Sequence, residues 1–328
     1  MALFSLRRWM EADPTERDYC IRLLLCQFGP LRWSGLRQTF SQLTEGPESS
    51  IVFDISIMRR LFVVVWLLAA TFLMAQQFQL PLRTRVHPFK NTDTWQATIV
   101  SETFSAPASA ILICDMWDRH WCAGATGRVR DLAQRMDPVL RKARDAGILI
   151  IHSPSDTMNF YRDYPQRQAV LRVPKVNPPP ALSLTDPPLP IDDSDGGCDT
   201  AGDHEHPVWS RENAILSMGP HDAISDNGNE VYNLLRAKGI RTLFLMGVHT
   251  NMCVLNRSFA IKQMTRWGIQ CVLVRDLTDA MYNPARRPYV SHAAGTELVI
   301  EHIEKYWCPT VLSKDLVGGF GLSASAAN

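Results

Sequence analysis

From about residue 106 onward, short uninterrupted apolar runs alternate with stretches whose apolar residues recur every three or four positions. The runs are Ala110 to Cys114, Ile148 to His152, Thr242 to Met246 and Gln270 to Arg275. Apolarity over so few residues, without polar alternation, predicts strands buried on both faces. Between the first two runs, Val129, Leu132, Met136, Val139, Leu140 and Ala143 draw a helical stripe over Gly127 to Asp145. Gly147 stops that helix, and Pro138 within it predicts a kink or a break. A second helix is expected over Gly228 to Lys238, with Val231, Leu234 and Leu235 on its buried face. A third opens at Cys253 and carries Val254, Phe259, Ile261, Met264 and Trp267; a last one covers Thr296 to Tyr306. Val208 to Arg211 reads as a further short strand. Strand and helix alternate throughout, which predicts a mostly parallel sheet with helices on both faces and ligands at the carboxyl ends of the strands.

This pattern occupies residues 106–310. Residues 76–105 are polar and punctuated by proline, a linker or an added edge strand over Thr94 to Val100, and residues 311–328 read as a tail. An insertion over about 153–207, rich in proline and aspartate, is too long for an ordinary connection and is expected to be a lid, a subunit contact or a mobile loop. Met58-Arg59-Arg60 precedes the uncharged run Leu61 to Ala75, two arginines before an apolar stretch too short for a comfortable span. Residues 58–75 therefore read as a signal peptide, with residues 1–57 a non-native or disordered upstream extension. The expected compartment is periplasmic or secreted, with no stable span in the mature protein; the alternative is a membrane anchor.

Charge changes the picture only by exclusion. There are 34 Lys and Arg against 33 Asp and Glu, so no basic excess points to nucleic acid. The eight cysteines include no CxxC pair and no zinc-like spacing, and no cofactor is expected. Cys114 and Cys271 fall inside strand runs as core residues. Cys122 and Cys198 fall in loops and could pair in an oxidising compartment.

Two strand ends carry candidate chemistry. The run at Thr242 ends in Gly247-Val248-His249-Thr250-Asn251-Met252-Cys253-Val254, which puts a cysteine at a helix N-terminus. There the unpaired N–H groups and the helix dipole favour thiolate and could receive an oxyanion. The run at Ala110 closes on Asp115, so an acid and a nucleophile converge on one sheet edge.

These segments resemble the isochorismatase-like cysteine hydrolase family, which includes nicotinamidases and N-carbamoylsarcosine amidohydrolases. The motifs are Ile111-Leu112-Ile113-Cys114-Asp115-Met116, the Gly247 to Val254 turn, and Val272-Leu273-Val274-Arg275-Asp276-Leu277-Thr278-Asp279-Ala280. The resemblance implies a three-layer α/β/α sandwich, Rossmann-like, with an Asp–Lys–Cys triad and a cis peptide near Val248-His249-Thr250. Asp115 matches the general base and Cys253 the nucleophile that forms a thioester. At the lysine the sequence departs: the matching region Pro207-Val208-Trp209-Ser210-Arg211-Glu212 offers Arg211, a cation that cannot donate a proton near neutral pH. Lys175 in the insertion is a possible substitute. The metal signature of nicotinamidases is absent from His152-Ser153-Pro154-Ser155-Asp156. Instead Asp118, His120 and His152 could meet around a metal or a polar substrate group, with Trp117 and Trp121 at the rim. Otherwise Asp118 and His120 make loop hydrogen bonds. His249, Thr250, Asn251 and Met252 are expected as substrate or oxyanion contacts, and Asp276 and Asp279 as braces of the site.

Three readings stand at this point. The first is a hydrolase of a small amide, carbamoyl or related carbonyl compound, its pocket built from loops and from a neighbouring subunit of a homo-oligomer. The second is isochorismatase-type vinyl-ether hydrolysis, in which the cysteine is dispensable. The third is a binding or scaffold protein on the same fold.

Overall fold

The computed structural model describes residues 77–90 and 92–322, so the readings at 1–57 and 58–75 lie outside the described residues. One eight-stranded sheet organises them. Its strands are β1 (Gln77–Val86), β2 (Gln96–Ser105), β3 (Ser109–Cys114), β4 (Leu149–Ser153), β5 (Ala223–Ile224), β6 (Thr242–Val248), β7 (Gln270–Asp279) and β8 (Thr310–Val311). The order across the sheet is β2-β1-β8-β7-β6-β3-β4-β5. β3 to β8 run parallel, and the β1–β2 hairpin joins antiparallel beside β8.

The helices are α1 (Ala123–Asp145), α2 (Pro165–Leu171), α3 (Gly228–Lys238), α4 (Cys253–Asn256), α5 (Ile261–Arg266), α6 (His292–Tyr306) and α7 (Ser313–Leu322). The pleat divides the core in two. Ala110, Leu112 and Cys114 of β3 pack with α3, α5 and α6. Ile111 and Ile113 pack with α1 and α7. The result is a three-layer α/β/α sandwich, and it explains why the strand runs are apolar at every position. Among the described residues no helix is long and apolar enough to cross a membrane.

Several elements differ from expectation. Helix α1 begins four residues before Gly127 and continues through Pro138, its buried stripe from Val129 to Ala143 held against the sheet. The cysteine helix divides into α4 and α5. Residues 208–211 form no strand; the short strand beside β4 is β5, which ends before Ser225. Of the two readings of residues 76–105, a linker or an edge strand over Thr94 to Val100, a strand forms: β2 lies at the sheet edge, paired in a hairpin with β1, whose Phe78, Leu80 and Leu82 alternate into the core. Arg83 and Arg85 of that hairpin pair with the buried carboxylate of Glu304 on α6, which fixes it to the sheet. The segment read as a tail holds α7, whose Leu316 and Phe320 join the core.

The insertion contains α2 and then runs as an irregular strap. Asp186 pairs with Lys262, Asp195 with Arg286 and Asp199 with Arg128. Cys122 and Cys198 form a disulfide across 76 residues of sequence, joining this strap to the start of α1. Closing a loop of that length restricts the unfolded chain by about 4 kcal/mol in the chain-entropy account. The Cys122→Ser, Cys198→Ser double variant should therefore melt on the order of 10 °C lower than the oxidised protein. Thermal unfolding with and without reductant checks this; equal melting points would remove the disulfide from the stability of the fold.

Candidate active site

Topology first brings the site together. From β3 the chain builds outward through β4 and β5, then crosses back to place β6 on the other side of β3. The order of the sheet reverses between β3 and β6, and such reversals open a crevice at the carboxyl ends of the strands. Asp115 leaves β3 there, and the Cys253 turn leaves β6.

Both exits are unusual backbone. Gly247 has φ of 116°, and a Cβ on it would lie 2.1 Å from the carbonyl oxygen of Cys114. Only glycine lets β6 approach β3 this closely. The peptide between Val248 and His249 is cis, at the expected turn. Asp115 has φ of 47°, left-handed backbone that is costly without glycine and collects at functional sites. Its N–H donates to the carbonyl of Ser153 at 3.1 Å.

The Asp115 side chain is fully buried and held on three sides. The Ser155 N–H donates to Oδ1 at 2.7 Å, and Arg257 Nε donates to Oδ2 at 2.9 Å. On the third side stands the Cys253 thiol, and the two groups act on each other electrostatically. Burial raises the Asp115 carboxyl above its ordinary value, and Arg257 and Ser155 oppose this without cancelling it. Burial likewise pushes the Cys253 thiol far up, and the Asp115 charge adds to the rise. The expectation of a resting thiolate is therefore corrected: desolvation and a neighbouring anion outweigh one short helix turn. Cys253 therefore rests as a thiol beside Asp115.

The cation of the site is also corrected. Arg211 is exposed, with its guanidinium 5.6 Å from the ring centre of Phe160. It lies outside a strand end because the strand expected before it does not form. Lys175 is exposed, and its charge acts on Glu230. The cation on Asp115 is Arg257, which also reaches Asp156 at 3.4 Å. A sequence signal was there to find it. Arg257 follows Cys253 by four positions, which puts both on one face of a helical turn.

The rest of the cysteine turn is mostly bracing. Thr250 donates its N–H to the Asp279 carbonyl, and its hydroxyl meets that of Thr278 at 2.7 Å. Asn251 donates to Asp193 of the strap at 2.7 Å and exchanges hydrogen bonds with Met281. The side chains of Thr250 and Asn251 are thus engaged within the protein, which corrects their expected role as side-chain contacts to substrate. The N–H groups of Met252 and Val254 both donate to the His249 carbonyl. The N–H groups of Asn251 and Cys253 have no acceptor among the described residues, so they are the donors this turn leaves open to an oxyanion.

His249 is buried, and its Nε2 has no partner among the described residues. Burial, reinforced by His120, pushes it down to about 3, so it stays neutral. The His120 ring lies 4.9 Å from it, edge to face, and burial takes His120 to about 4. Trp117 stacks on Trp209 at 4.4 Å, and Trp121 lies 5.1 Å from His120. The Trp117 indole N–H donates to the Ser155 carbonyl, next to the N–H that holds Asp115. Asp118 accepts from the Ser210 N–H and hydroxyl. Burial would raise its carboxyl, but those bonds hold it low. His152 is turned away from His120 into a pair of carboxylates, so Asp118, His120 and His152 do not converge as a metal site. Asp276 accepts from the N–H and hydroxyl of Ser313, while Asp279 accepts from Arg128 and His292. Asp279, whose carbonyl also accepts from Thr250, braces the cysteine turn, whereas Asp276 holds the start of α7.

No family model matches the chain, and no curated protein matches it. Among solved structures, a cysteine hydrolase from Pseudomonas syringae is similar over 67% of this chain and 95% of its own, at 17% identity and TM-score 0.43. An isochorismatase family protein from Burkholderia thailandensis matches 66% of this chain and 96% of its own, at 17% identity and TM-score 0.39. An isochorismatase from Pseudomonas putida matches 64% and 91%, at 14% identity and TM-score 0.38. Two of the three carry the name isochorismatase, and one is a cysteine hydrolase. The sandwich itself is read from this molecule's strand order and its two cores.

Proposed function

We propose that the protein is a cysteine-dependent hydrolase of a small amide, carbamoyl or related carbonyl compound, acting through a thioester on Cys253. The observation that supports this is the Cys253 thiol beside the buried Asp115 carboxyl, which Arg257 and Ser155 hold in place by hydrogen bonds. As sulfur adds to the substrate carbonyl carbon, Asp115 takes the thiol proton, and the developing oxyanion meets the Cys253 N–H. Collapse breaks the bond to the leaving amine, which takes the proton from Asp115. Water then adds to the thioester as Asp115 accepts its proton, and the acid is released with the thiol restored. Arg257 remains charged throughout: burial disfavours its cation, but the adjacent Asp115 more than compensates. It therefore balances Asp115 whenever that carboxylate is ionised.

The test uses p-nitrophenyl acetate as an activated acyl donor. Release of p-nitrophenolate with acetyl found on the Cys253 peptide by mass spectrometry is the expected result. Acetyl on other residues only would remove the thioester route. Turnover of isochorismate by a chain lacking the Cys253 sulfur would favour the vinyl-ether reaction instead.

We also infer export, which the Cys122–Cys198 disulfide supports because such bonds persist in oxidising compartments. Expression from Met58 in a bacterial host should deliver periplasmic protein beginning at Gln76. N-terminal sequencing checks this, and unprocessed protein retained in the cytosol would overturn it. A homo-oligomer is proposed as the assembly.

A further inference from the structure

We propose that His152, Glu212 and Asp222 form a buried charged clamp that positions the Asp115 loop, making His152 a positioning residue for the cysteine chemistry. The proposal rests on the reading of Asp115 as the proton acceptor.

His152 on β4 is fully buried, and both of its ring nitrogens face carboxylates. Nδ1 lies 2.6 Å from Glu212 Oε2, and Nε2 lies 3.0 Å from Asp222 Oδ2. An ionised carboxylate only accepts, so both nitrogens carry protons and the ring is an imidazolium. Asp222 has a second cation, since Arg144 of α1 reaches it at 2.7 Å. Glu212 has none: its Oε1 is buried without a partner among the described residues, so His152 is what holds this carboxylate.

Glu212 is where the clamp meets the site. Its backbone bridges Trp117 in antiparallel fashion. On either side, the Asp118 N–H donates to the Arg211 carbonyl at 2.9 Å, and the Asn213 N–H donates to the Met116 carbonyl at 2.7 Å. Residues 116–118, directly after the left-handed Asp115, are thereby laid along residues 211–213. The other flank is held from the same strand as His152, because the Asp115 N–H donates to the carbonyl of Ser153. One buried cation thus stands behind both supports of the catalytic carboxylate.

The charged and titratable groups facing this cation are Glu212, Asp222, Arg144 and, through the Glu212 N–H, the hydroxyl of Tyr161. Burial first and then the Glu212 charge push the Tyr161 hydroxyl up, so it keeps its proton. Burial alone would lower His152, but Glu212 and Asp222 raise it to about 9. As pH rises through that value the clamp loses its positive centre, and two carboxylates are left facing a neutral ring.

The experiment follows acylation of Cys253 by p-nitrophenyl acetate from about pH 6 to about pH 11, with the thermal melt of each variant. In the native protein the rate should fall as pH rises through about 9. His152→Gln should slow acylation at neutral pH by about tenfold or more, since small displacements of a catalytic group are costly. The double variant His152→Gln, Glu212→Gln sets amide against amide and leaves Asp222 on Arg144. It should recover to within about threefold of the native rate and lack the alkaline fall, as a balanced neutral replacement does. A His152→Gln protein that melts and acylates like the native one, with the same alkaline fall, overturns the clamp. Should that variant not fold, an alkaline fall persisting in the double variant overturns it equally. If the native protein forms no acyl-Cys253, the hydrolase reading fails on its own. Alkylation of Cys253 by iodoacetamide, which needs no turnover, then carries the same comparison: identical profiles in native and variant proteins overturn the clamp.

Discussion

Cys253→Ala is expected to fold like the native protein and to hydrolyse acyl substrates on the order of 10⁴-fold more slowly or worse, as loss of a nucleophile does elsewhere. The methyl group fits the same turn, and Asp115 keeps its hydrogen bonds from Ser155 and Arg257, so little else changes. Cys253→Ser should be nearly as impaired. Its hydroxyl can donate to Asp115, but its oxygen is a far weaker nucleophile than a sulfur relieved of its proton. Steady-state hydrolysis beside a thermal melt separates loss of chemistry from loss of fold. An alanine variant within about tenfold of the native rate would mean that water attacks directly with Asp115 as its base.

Arg257→Met should carry the second largest effect, and it acts on the pH profile. Asp115 accepts a proton only while ionised, so activity is lost as pH falls through its pKa. Burial already holds that pKa above the ordinary carboxylate value. Removing a cation 2.9 Å from the carboxylate should raise it by roughly one to three units further. The acid limb of kcat/KM then moves to higher pH by that amount, and activity on that limb drops by about tenfold to a thousandfold. Arg257→Lys should restore part of the loss, because an ammonium keeps the charge but not the fork that reaches Asp115 and Asp156 together. Arg211→Met should stay within about twofold of native, since an exposed side chain over Phe160 bears little on the pair. An Arg257→Met profile with the native acid limb would remove this arginine from the mechanism.

The clamp makes these variants easier to tell apart. Arg257 governs the acid side of the profile through Asp115, whereas His152 governs the alkaline side through Glu212. A change confined to one limb therefore names the group responsible.

How much of this was legible beforehand differs from element to element. Ala110 to Cys114 and Thr242 to Met246 declared themselves as buried strands because a strand covered on both faces has no polar position. With them came Asp115, at the first polar break after its run, and Cys253, which opens a helix at the end of the polar turn after the other run. The hairpin was also written in the sequence: Phe78, Leu80 and Leu82 alternate with polar residues, but the proline and arginines among them obscured it. Arg83 and Arg85 belong there only because Glu304, more than two hundred positions away, lies buried against them.

What tertiary structure alone decided is which charge faces which. Arg211 was expected at the site on the assumption that a strand ended beside it. The strand that forms is two residues long, too short to leave a periodic signal, and begins at Ala223. His152 read as a ligand at a strand end until Glu212 and Asp222 closed on both its nitrogens. Hydrophobic period is a local property, fixed by the two faces of a strand or the turn of a helix, so the chain displays it residue by residue. Pairing of buried charges depends on the order of strands across the sheet and on where a long connection lies. For Asp115 that order placed Arg257, from the turn after β6, against the end of β3.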